Sequence, residues 1–114
     1  MVRSNTRHLE KRHADRLACL ARDLENGQYH TALESARWIL GDKTIPPGMR
    51  LELTLKEVRA LLGVGRATEA AVRLCAAQNS MHRYRLYLHR AAIVELISQV
   101  ECARRPGRVG HLGR

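Results

Sequence analysis

The apolar positions of this chain recur at helical intervals. Leu9, His13, Leu17, Leu20 and Leu24 fall every three to four residues, which predicts a helix from about Thr6 to Glu25 with one buried face. Tyr29, Ala32, Leu33, Ala36 and Leu40 form a second stripe and predict a helix from Gln28 to Leu40, stopped by Gly41. The segment from Asp42 to Gly48 reads as a connector, because the pair Pro46-Pro47 does not fit inside a helix. Leu51, Leu53 and Leu55 alternate as in a strand. Leu51, Leu55, Val58 and Leu62 nevertheless make a longer helical stripe, built from good helix formers, and predict a helix from Met49 to Leu62. Met49, Leu53 and Ala60 give that helix a second apolar face, so it is expected at the centre of the fold. A fourth helix, Ala67 to Gln78, turns Ala67, Ala70, Ala71, Leu74 and Ala77 inward. Ser80 is placed to cap a long last helix running to Cys102.

That last helix carries two apolar faces. Tyr84, Tyr87, Leu88, Ala91 and Val94 make one; Leu86, Ile93, Leu96, Ile97 and Val100 make the other. A terminal helix covering one core needs a single apolar face. The second predicts a partner, and in its absence a homodimer burying Ile93, Leu96, Ile97 and Val100. Trp38, half a turn away from the stripe of its own helix, is a second candidate anchor, since Trp is enriched at the centres of protein interfaces. Arg83, Arg85 and Arg90 would rim the aromatic face.

Two turns repeat. Gly27-Gln28-Tyr29-His30-Thr31-Ala32 and Gly65-Arg66-Ala67-Thr68-Glu69-Ala70 each place a Gly where φ can become positive and an Ala five residues on, where two helices approach closely. With an aromatic or small residue two after the Gly, both resemble the inter-helix turn of tetratricopeptide repeats. Leu20 and Val58 stand where that family has a Gly in its first helix, and the period is 38 rather than its usual ~34 residues. The resemblance implies an all-α fold of about five helices: two antiparallel hairpins closed by a long C-terminal helix. It also implies a protein-binding trade. In length and Arg-rich character the chain is similar to small bacterial helical proteins of two kinds, type III secretion needle chaperones and quorum-sensing antiactivators that block LuxR-type transcription factors. The similarity to the second kind implies a non-catalytic regulator that docks on such a factor and prevents its dimerisation and DNA binding.

Charge adds a competing possibility. The net charge is +9, but residues 17–80 carry only +1, while residues 1–16 carry +3 and residues 104–114 carry +4. Residues 1–5 read as a flexible N-terminus, 6–103 as one helical domain and 104–114 as a disordered basic tail. Basic termini would suit a DNA- or RNA-binding regulator. Along His82 to Arg90, however, Arg83 and Arg85 diverge by about 160° on a helix and form no basic stripe. With 17 Arg and 3 Lys, the bias also matches a GC-rich codon usage.

The residues point to no reaction. His8 and His13 are five apart and His82 and His89 seven apart, so neither pair has the i, i+4 spacing of helical metal ligands. No phosphate-binding loop, dinucleotide fingerprint or nucleophile elbow occurs. Cys19 lies near Arg12, Arg16 and Arg22, which would favour a thiolate. Glu52 and Glu57 read as members of solvated helix faces. Three widely spaced cysteines, Cys19, Cys75 and Cys102, suggest reduced thiols and a cytoplasmic location. No run approaches the ~20 apolar residues of a membrane span, and the start lacks a signal-peptide hydrophobic region. No cofactor, no metal and no membrane are expected; another protein is.

Overall fold

A computed structural model describes residues 11–104, and within them the regular structure is all helical: α1 (Ala14–Glu25), α2 (Tyr29–Leu40), α3 (Pro47–Gly63), α4 (Ala67–Tyr84) and α5 (Arg90–Ala103), with a 3-10 turn at Tyr87–His89. Leu9, the expected flexible start and the basic tail from residue 105 lie outside the described residues. Each helix packs on its neighbours in chain order, and α5 closes over both α4 and α3. Among the described residues no helix is long and apolar enough to cross a membrane.

The two glycine turns are built alike. Gly27 and Gly65 take φ of +75° and +85°, the left-handed region open to a residue without Cβ. Past each one the chain closes on the preceding helix. The Gln28 N–H donates to the Asp23 carbonyl and the Arg66 N–H to the Leu61 carbonyl, both at 2.8 Å. This is the Schellman arrangement that satisfies carbonyls at a helix end. Ala32 and Ala70, five residues after each glycine, are fully buried.

Helix α3 is the centre. Leu51, Leu53, Leu55, Val58, Ala60 and Leu61 are buried around its circumference, so the strand-like alternation of Leu51 to Leu55 reflects a helix covered on more than one side. Pro47 opens the helix rather than ending the connector before it, since a first-turn Pro lacks only an N–H that would have no helical partner. At its other end α3 tolerates no side chain. A Cβ on Gly63 would overlap the Tyr29 ring, which brings the start of α2 against the end of α3.

Two polar clusters tie the helices together. Glu57, expected on a solvated face, is 3% exposed and lies between two cations. Arg37 of α2 donates from Nε to its Oε2 at 2.9 Å, and Arg73 of α4 donates from Nε to its Oε1 at 2.9 Å. Arg37 also reaches Glu69, which lies 3.8 Å from Arg66. The bond to Glu57 pushes the Arg37 pKa up from an already high value, against the opposing effect of burial. The second cluster centres on Asp42 after α2. It accepts from the Thr44 hydroxyl at 2.6 Å and the Thr44 N–H at 3.0 Å, and pairs with His13 at 2.9 Å and Arg12 at 3.0 Å. The Thr44 hydroxyl first, then His13, holds the Asp42 carboxyl far below the usual carboxylate range. His13, buried on the stripe of the first helix, thereby joins the start of α1 to the connector. Arg50 caps the same corner by donating to the carbonyls of Leu40 and Asp42 at 3.0 and 2.9 Å.

The C-terminal third departs from expectation. Ser80 caps nothing, because α4 runs on to Tyr84. The stripe Ala70, Leu74, Ala77 continues to buried Met81, and burying it along α3 keeps the helix going. The break falls at Arg85, whose φ of 58° is left-handed without the freedom of a glycine. The Leu86 N–H donates to the Met81 carbonyl at 2.9 Å, the same closure as at Gly27 and Gly65. The long last helix is therefore two elements, and α5 starts only at Arg90.

Candidate protein interface

Trp38 sits on α2 and is 63% exposed, while Ala36 and Ile39 beside it in sequence are fully buried. A cation stacks on it: the Arg16 guanidinium of α1 lies 4.3 Å from the ring centroid. Such a stack is worth about 0.5–1 kcal/mol at an exposed site and fixes the ring without covering it. Cys19 is on the neighbouring part of α1, where Arg22 donates from Nη2 to its Sγ at 3.3 Å. Together these form a cationic and aromatic surface on α1 and α2.

The second exposed surface lies at the other end of the helix order. Tyr84 and Tyr87 are half exposed, Val94 is exposed, and Leu88 is 93% exposed on the 3-10 turn. These residues belong to three elements rather than to one continuous helix face. Tyr84 ends α4, Tyr87 opens the 3-10 turn, and Val94 is on α5. The expected basic rim is exposed with them: Arg83, 5.8 Å from the Tyr84 ring, together with Arg85 and Arg90. His82 meets the Tyr87 ring edge-on at 5.9 Å.

The assignment of faces on α5 is corrected by burial. Ile93, Leu96 and Val100, expected at a dimer interface, are at most 4% exposed inside the chain's own core. Leu86 and Ile97 are half-buried and pack against that core. The face that α5 leaves open is the other one, with Ala91 and Val94. The covered face is the wholly aliphatic one, and the return of the chain at Arg85 turns it onto α3 and α4.

A groove of about 760 Å³ opens between α3 and α5, with Tyr29, Lys56, Arg59, His89, Glu95 and Gln99 among its walls. Its charges are mixed and come from residues far apart in the sequence, so no motif announces it. Val72, 63% exposed on α4, is a further apolar residue that helical periodicity did not single out. Among the described residues no three His, Cys, Asp or Glu side chains group closely enough to hold a metal ion. No protein family, curated protein or solved structure matches the chain.

Proposed function

We propose that this protein is a non-catalytic regulator that acts by binding another protein. The observation that carries the reading is the exposure of Trp38. The chain's single Trp is left 63% in solvent while Leu, Ile and Ala fill the core. Trp is the residue type most concentrated at binding hot spots, and the Arg16 stack orders it in advance, which lowers the entropic cost of docking. The resemblance to small quorum-sensing antiactivators makes a dimerisation surface of a LuxR-type transcription factor the specific candidate. Self-association in the partner's absence is part of this reading.

The test is a titration of the purified protein into a LuxR-type activator bound to fluorescent operator DNA. Release of the DNA with formation of a protein heterocomplex is expected. Trp38→Ala should weaken that release at least about tenfold, as a hot-spot truncation does. It should change the stability of the free protein by less than about 1 kcal/mol, because the ring is exposed and loses one cation–π contact. Direct, sequence-selective binding of the operator by this protein at physiological salt would replace this reading with a nucleic-acid-binding one. Unfolding by Trp38→Ala would remove Trp38 from the interface.

A further inference from the structure

We propose that a second copy of this chain packs against α5, with the two α5 helices antiparallel and paired along the line Arg90, Val94, Ile97 and Glu101. The proposal rests on the self-association reading and gives it a surface different from the buried one. Steps of four, three and four residues keep these four side chains on one edge of the helix, within about 20–60° of one another. Val94 is 58% exposed, Ile97 is half-buried, and the two charged ends are exposed. Beside this edge lies a hollow of about 280 Å³ between α4 and α5, bordered by Gln78, His82, Tyr87, Arg90, Val94 and Ile97.

The charges identify the occupant. Arg90 begins α5 and Glu101 lies in its last turn. Each is the wrong sign for its position, since a helix N-terminus favours anions and a C-terminus cations. Among the described residues neither forms an ion pair. A second α5 running antiparallel corrects both defects at once. With the two-fold axis midway between Arg90 and Glu101, each Arg90 faces the other copy's Glu101. Val94 of each then meets Ile97 of the other, and the two helix dipoles oppose. The edge is self-complementary under that one rotation, as an isologous dimer interface has to be. A single helix pair of this length covers less than the ~1,200 Å² of a standard interface, so the association should be of micromolar strength.

The test is sedimentation equilibrium of the full chain from about 1 to 200 μM, a range chosen to bracket such an affinity. The mass should rise with concentration from 12.9 kDa towards twice that value. Val94→Glu should abolish the rise. Arg90→Glu and Glu101→Arg should each weaken it at least about tenfold, because two symmetry-related ion pairs become repulsive contacts. The double variant Arg90→Glu/Glu101→Arg should return to within about threefold of the parent. Neither single reversal should lower the melting temperature of the dilute protein, since each suits the dipole of α5 better than the native residue does. A monomer throughout the range overturns the proposal together with the self-association reading. A dimer indifferent to Val94→Glu, or one that the double variant does not restore, overturns the α5 surface alone. The Trp38 interface is decided by its own assay.

Discussion

Replacing Glu57 by Gln should be the most destabilising near-isosteric change at a polar position of this protein. The carboxylate is 3% exposed and takes one hydrogen bond from Arg37 and one from Arg73, both at 2.9 Å. It thereby joins α2 and α4 through the central helix. Gln keeps the volume but loses the charge, and it presents an NH₂ to one guanidinium where an acceptor stood. Breaking a fully buried ion pair from one side costs about 3–5 kcal/mol. Here the side chains of Arg37 and Arg73 are 40% and 37% exposed, so water solvates part of the released charge. The expected loss is therefore about 2–3 kcal/mol, or about 10–20 °C in melting temperature for a domain of this size. Glu69→Gln is the internal control. It also removes a partner of Arg37, but Glu69 is 43% exposed, and a pair of that kind is worth about 0–1 kcal/mol. Urea denaturation of both variants gives the comparison, with an unchanged m-value showing that the unfolding transition is the same one. If Glu57→Gln costs no more than Glu69→Gln, burial does not set the strength of this cluster and the reasoning fails.

Acid should loosen the corner where α1 meets the connector. The Asp42 carboxyl is held below its ordinary range, so its contribution is fully present above about pH 4 and is lost as pH falls further. Asp42→Asn should lower stability at neutral pH and flatten the acid limb of the stability curve between about pH 4 and 2, measured by chemical denaturation at each pH. Arg85→Gly should raise stability by about 0.5–1 kcal/mol, because a left-handed φ of 58° costs a side-chain-bearing residue about 1–2 kcal/mol and Gly returns part of that to the flexibility of the unfolded chain. A loss of stability on that substitution would show that Arg85 makes a compensating interaction.

Local chemistry made much of this fold readable. The breaks at Gly27 and Gly65 depend on φ at one residue, and the stripes of α1 to α4 depend on spacing within a single helix. Both are properties of short segments, so they survive without knowledge of the neighbours. The angle of Trp38 to the stripe of α2 took it out of its own hairpin core, but whether α3 or α5 would cover it was open until the packing left it exposed. Other features were decided by what packs against what. Glu57 looks like any surface carboxylate until α2 and α4 bring Arg37 and Arg73 to it from 20 residues before and 16 after. The end of α4 is marked by no Gly or Pro. Burial of Met81 carries the helix past Ser80, and the closure from Leu86 to Met81 then holds Arg85 in a conformation that its own residue type disfavours. That turn sets the rotation of α5 against α3 and α4. Two apolar faces compete there for one core, and burial went to the wholly aliphatic face of Ile93, Leu96 and Val100, leaving Val94 in solvent and Leu88 exposed on the turn before it. Periodicity counts apolar faces, but only a neighbouring surface determines which of them is removed from water.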